Sequence, residues 1–83
     1  MKDLTFRTII EKDGAYYHGY VPALPGCHTQ GKTVEETRQN IREAMIGYLT
    51  ALKAHKQRVP EDIGIETLET IQFNPRLSRF SHA

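Results

Sequence analysis

The 83-residue sequence predicts an α+β domain in the order β-β-β-α-β, a four-stranded mixed sheet with one helix on one of its faces. Three observations predict it. Extended runs flank Asp13-Gly14 as in a hairpin, a capping box at Thr33 opens a long apolar stripe of helical period, and alternation returns at residues 65–73.

The first strand is expected over residues 4–12, "LTFRTIIEK". Leu4, Phe6 and Ile10 share one parity and Thr5, Arg7 and Glu11 the other, the period of a half-buried strand. Asp13-Gly14 then signals a type I′ turn, which needs positive φ at both central positions. The return strand is "YYHGYV", residues 16–21. In "VPALPG", Val21 and Leu24 precede Pro22 and Pro25, which push them toward extended backbone. Pro25-Gly26 suits the centre of a type II turn. The segment is therefore a stiff corner, and "CHTQ", residues 27–30, is the expected third strand. Gly31 permits a further tight bend.

Thr33 opens "TVEE": its hydroxyl can accept from the Glu36 amide while Glu36 reaches back to the Thr33 amide. Val34, Ile41, Ala44, Met45, Tyr48, Leu49 and Leu52 then recur at three- and four-residue spacing, one apolar stripe of an amphipathic helix. The helix is expected from about Val34 to about His55, with Pro60 ensuring that it has stopped. In "IETLETIQF", Ile65, Thr67, Glu69, Ile71 and Phe73 alternate with Glu66, Leu68, Thr70 and Gln72, which predicts a fourth strand. A meander followed by a right-handed crossover sets that strand parallel to the first, giving the sheet order 3-2-1-4. Residues 1–73 form the domain and 74–83 a tail with no separate DNA-binding domain. The sheet face away from the helix has no second layer, so it meets solvent or a partner.

Composition narrows the function. Hydrophobic residues are 39% and charged residues 25% of the chain, ordinary for a soluble globular domain. A net charge of +1 supplies no global attraction to nucleic acid or an anionic membrane. No apolar run approaches the ~20 residues of a membrane span, and the start lacks the apolar core of a signal peptide. The single cysteine, Cys27, cannot form an internal disulfide, which points to a reducing cytoplasm. So small a core often gains stability by association, so a homo-oligomer, dimer or tetramer, is expected.

No catalytic set emerges. Cys27 and His28 are neighbours on a strand and point to opposite faces, so they cannot couple. The four histidines lack metal-ligand spacing. Asp3, Glu11 and Asp13 are not placed at the centres of adjacent strands, as a two-metal hydrolase requires. No phosphate-binding glycine motif is present. No enzyme, cofactor or metal is expected. The candidate partner-binding set is Tyr16, His18 and Tyr20, on one side of the second strand, with Arg7 on a matching face of the first. Tyr17, Gly19 and Val21 share the other side and the sequence leaves open which set is inward, so Tyr16, His18 and Tyr20 suit a protein interface, plain half-buried packing or a base-stacking platform. The tail adds Arg76, Arg79 and His82 beside Leu77 and Phe80, suited to a basic arm or to a segment packing on a second subunit. The residues Asp13, Gly14, Pro22, Pro25, Gly26, Gly31, Thr33 and Glu36 are assigned to turns and caps.

In sequence order, "IIEKDGAYYHGYVPALPGC", "TQGKTVEE" and "NIREAMIGYL" resemble the N-terminal domain of HicB-family antitoxins over residues 4–60. The resemblance implies a partial ribonuclease-H-like fold without ribonuclease H catalysis. It implies binding to a small messenger-RNA-cleaving toxin, HicA, whose active surface is covered. Typical family members continue into a DNA-binding domain. About ten residues follow the fourth strand here, too few for a helix-turn-helix pair, which argues against operator binding. The alternative is a stand-alone HicB-like nucleic-acid-binding or regulatory protein without a toxin.

Overall fold

Tyrosines and β-branched residues, which favour extended backbone, stand on either side of the first turn. In the structure, a computed structural model that describes residues 2–78, they form β1 (Ile9–Asp13) and β2 (Tyr16–Tyr20). The two are antiparallel, with Ile9 opposite Tyr20, Glu11 opposite His18 and Asp13 opposite Tyr16. The central turn residues are Gly14 and Ala15 rather than Asp13 and Gly14. Among the described residues, Lys56 is the only non-glycine with positive φ, so only Gly14 (φ 61°) is left-handed here. That is the pattern of a type II′ turn, which corrects the type I′ expectation. β3 (His28–Gly31) pairs antiparallel with β2, and the sheet order is β1-β2-β3.

The corner between β2 and β3 is two successive β-turns sharing Leu24. The Leu24 amide donates to the Val21 carbonyl (3.0 Å) and the Cys27 amide to the Leu24 carbonyl (3.0 Å). Each turn has a proline at its second position, which presets φ. Gly26 closes the second at φ 84°, as a type II turn demands. The Val21 amide donates to the Cys27 carbonyl (3.1 Å) and seals the loop. A three-residue spacing thus turns Val21, Leu24 and Cys27 inward, and with Ile41 they are the buried apolar core. Phe6, Ala44, Met45, Tyr48 and Leu49 pack around it.

α1 (Val34–Ala54) starts at Thr33, whose hydroxyl accepts from the Glu36 amide (3.0 Å). Glu36 reaches one residue further back than expected: its carboxylate accepts from the Lys32 amide (3.0 Å), not that of Thr33. The helix ends before Pro60 can act. The Gln57 amide donates to the Leu52 carbonyl (2.8 Å) and the Lys56 amide to that of Lys53 (3.0 Å), with Lys56 at φ 55°. This is a Schellman motif with lysine in the left-handed position.

The helix packs on the sheet through Thr37, not Val34. Thr37 is fully buried and Val34 exposed. Gly31 ends β3 with ordinary φ, so it is not the tight bend expected. Its role is space: a Cβ there would lie 2.7 Å from Thr37 Oγ1 and 2.8 Å from the Thr37 amide nitrogen. Gly19 similarly leaves room for Thr37 Cγ2. The buried hydroxyl of Thr37 donates to the Thr33 carbonyl (2.7 Å), so close packing leaves no orphaned polar atom.

The fourth strand is not formed. Residues 65–73 lie in no strand and hold no ladder with β1, and the first strand starts at Ile9 rather than residue 4. Alternation makes a segment able to pair, but a ladder needs a neighbour that the rest of this chain does not bring to it. The connector before it is anchored. The Arg7 amide (2.7 Å) and Nε (3.1 Å) donate to the Asp62 carboxylate, and Gly64 lies against the Arg7 guanidinium. A short α2 (Pro75–Ser78) follows, capped by Asn74 Oδ1 accepting from the Arg76 amide (3.0 Å).

Candidate functional site

Strand parity and the hairpin register build the site. Ile10, Gly19, Thr29 and Gly31 face the helix. Glu11, Asp13, Tyr16, His18, Tyr20, His28 and Gln30 therefore line the opposite, uncovered face. The expected trio Tyr16, His18 and Tyr20 does share this face. Tyr16 is exposed, and His18 and Tyr20 are half-buried. The His18 ring lies 5.9 Å from that of Tyr20 and 5.6 Å from that of His28.

His28 is the member that the sequence reading missed. The signal was available in principle: a corner that makes β3 antiparallel to β2 must bring His28 opposite Tyr20. Arg7 does not join them. Its guanidinium is held by Asp62, whose side chain is only 4% exposed. The hydrogen bond from the Arg7 amide, joined by those of the Gly64 amide and the Arg7 side chain, holds the Asp62 carboxyl below its usual value against the opposing effect of burial.

A shallow cleft of about 490 Å³ runs from the ring cluster onto the proline corner, bounded by His18, Tyr20, Pro22, Pro25 and His28. Its rim is rigid for local reasons. Two prolines fix φ, Gly26 takes the left-handed conformation, and Tyr48 of α1 donates its hydroxyl proton to the Pro25 carbonyl (2.8 Å). Cys27 lies beneath, 5% exposed, and burial raises its thiol above the usual value. A protonated, buried thiol is a poor nucleophile and a poor ligand. Glu11 stands opposite His18 and Asp13 opposite Tyr16, so the acidic residues line one border of the face. Among the described residues, no three His, Cys, Asp or Glu side chains converge as metal ligands. The face is equipped for contact: flat rings with polar edges, a fixed wall and an acidic border.

This architecture has known counterparts. A family model described as HicB-like antitoxin of bacterial toxin-antitoxin system matches residues 6–78. The chain belongs to the HicB-like antitoxin family. Relatives include a UPF0150 protein of Thermoplasma acidophilum, 48% identical over 60 residues that cover 71% of this chain and 87% of that one. A UPF0150 protein of Archaeoglobus fulgidus is 40% identical over 67 residues, 80% of this chain and 94% of its own. The crystal structure of the N-terminal domain of the Burkholderia pseudomallei antitoxin HicB is similar with a TM-score of 0.61 and 30% identity, over 88% of this chain and 85% of that one. The HicB-like antitoxin α+β fold, with its three-stranded antiparallel sheet and one helix, is thereby established. Family membership in turn suggests a binding rather than an enzymatic role. No helix among the described residues is long and apolar enough to cross a membrane.

Proposed function

We propose that this protein is an antitoxin module that neutralises a HicA-type, messenger-RNA-cleaving ribonuclease by covering its active surface with the sheet face that α1 leaves free. The observation that carries this reading is the composition of that face: Tyr16, His18, Tyr20 and His28 bordered by Glu11 and Asp13. A protein that grips RNA presents cationic surface, and an aromatic patch with an acidic edge complements it. The same border disfavours the nucleic-acid-binding alternative, because Glu11 and Asp13 would repel phosphates beside the rings. Occlusion needs buried area and shape rather than a reactive group, and the rigid proline corner offers a wall that does not have to be ordered on binding. On this reading the protein works in the cytoplasm, where its target messenger RNA is.

The test is co-expression with the reading frame next to its gene. Relief of growth arrest and a complex that survives purification are expected. Tyr20→Asp should weaken that complex at least about tenfold, whereas Glu43→Gln on the exposed side of α1 should not. RNA binding that falls steeply with salt in the absence of any protein partner would overturn the proposal.

A further inference from the structure

Residues 63–73 are the anomaly of this molecule. Ile65 is 88% exposed and Leu68 95%, and Ile63, Ile71 and Phe73 are also solvent-facing. Among the described residues, none in 65–73 makes a backbone hydrogen bond to the rest of the chain. The Cα radius of gyration is 17.7 Å, against about 12 Å for a compact chain of this length. An arm that alternates like a strand, lies in no ladder and leaves its apolar side chains exposed is the signature of a segment whose neighbour is another molecule.

The body carries a matching vacancy. Among the described residues β1 pairs only with β2, so its other edge is left unpaired by them. Next to the start of β1, Leu4 and Phe6 from the chain preceding it and Arg42, Met45, Ile46 and Leu49 from α1 line an open, largely apolar cleft of about 180 Å³. A strand added at the edge of β1 directs one parity of its side chains toward the helix layer. In the arm that parity is mostly apolar: Ile65, Ile71 and Phe73 share it with Thr67 and Glu69, and Leu68 is on the other.

We infer that residues 65–73 are a donated strand: in a dimer of this chain, each copy lays its arm along the free β1 edge of the other, with Ile65, Ile71 and Phe73 covering the cleft. Every copy offers one arm and one vacant edge, so a two-fold pair satisfies both at once and closes the assembly. The Arg7–Asp62 ion pair fixes where the arm departs from the body. This inference stands independently of toxin binding, since it concerns the chain alone.

The test mixes isotope-labelled and unlabelled full-length chains and combines sedimentation with isotope-filtered NOE measurements. A dimer, or an even multiple, is expected, with intermolecular contacts from Ile65, Ile71 and Phe73 to Phe6 and Leu49, and slow amide exchange over 65–73. The double variant Ile71→Glu, Phe73→Glu should raise the dissociation constant at least about tenfold while the helical circular dichroism is retained. A monomer at every concentration overturns the inference, whether its arm is free or folded back in cis. So does an oligomer whose arm amides exchange freely. If instead a toxin chain alone protects the arm, the inference fails while the antitoxin reading stands.

Discussion

β1 and the arm at residues 65–73 have nearly the same sequence grammar and opposite fates. Both mix isoleucines with charged residues, Ile9 and Ile10 with Glu11, Lys12 and Asp13 in β1, and Ile65 and Ile71 with Glu66 and Glu69 in the arm. β1 has a two-residue turn that delivers β2 to its side, and it is held in a ladder along its whole length. The arm follows a connector tied to Arg7, has no ladder, and leaves its isoleucines in solvent. Period-two alternation therefore specifies which face a strand will bury, while the turn or the partner specifies whether it becomes a strand at all.

The sharpest way to test that contrast is to shorten a buried and an exposed side chain by the same chemistry. Ile41 is fully buried in the small core, and Ile41→Ala should cost about 2–5 kcal/mol in urea unfolding. Leu68 is on the outward parity of the arm, and Leu68→Ala should stay within about 0.5 kcal/mol. Equal costs would erase the distinction between body and arm.

Next in size is the contact that holds the body's two layers together. Gly31→Ala places a methyl 2.8 Å from the Thr37 backbone nitrogen, which cannot swing aside as a side-chain tip could. A loss of about 1–3 kcal/mol is expected by calorimetry or urea unfolding, the cost of overpacking. The arm has a comparable position at Gly64, but there the obstacle is the end of the flexible Arg7 side chain. A neutral Gly31→Ala would mean that α1 sits farther from the sheet than described.

The proline corner is the third comparison. At Gly26 a Cβ would meet nothing, yet φ is 84°. Gly26→Ala should therefore cost about 1–2 kcal/mol from backbone strain alone. Ala23→Gly, in the half of the corner where no positive φ is required, should cost less. Equal losses would point to something other than the left-handed turn.

These contrasts also show what was legible in the sequence. The helix was, because a capping residue, a stripe of helical period and a basic last turn all agree. The corner was, because proline and glycine restrict or free φ by their own covalent structure. The shared face of Tyr16, His18 and Tyr20 follows from parity alone. Other features depend on what a distant residue does. Thr37 replaces Val34 in the core only because Gly19 and Gly31 lie beneath it, and glycines within strands were the clue. The helix end near His55 was readable too, but its Schellman geometry was not, because Lys56 takes a left-handed cap that glycine usually fills. The partner of Arg7 is 55 positions away, and no local pattern marks Asp62 as its mate. The fourth strand had a correct alternation and lacked a neighbour. Arg79, Phe80 and His82 of the tail lie outside the described residues.

The smallest expected effect concerns the anchor at which body and arm meet. Asp62 accepts from the Arg7 amide, from Arg7 Nε and from the Gly64 amide (3.0 Å), and these bonds favour its charged form. Its carboxyl is thereby lowered below the ordinary aspartate range. Protons therefore bind the unfolded chain more readily than the folded one, and stability from this anchor rises with pH. The contribution is complete above roughly pH 5, where a free aspartate is already ionised, and it is lost as the pH falls through the lowered folded value. An NMR titration should show the Arg7 amide and Nε resonances shifting together in acid, in one step below that of a free aspartate. Asp62→Asn keeps an acceptor but removes the charge, so the step should vanish. The arm should then depart from the body less tightly, while the Gly31–Thr37 contact and the ladder of β1 with β2 stay unchanged. A step that survives Asp62→Asn would assign the titration to another carboxylate and leave Arg7 without its anchor.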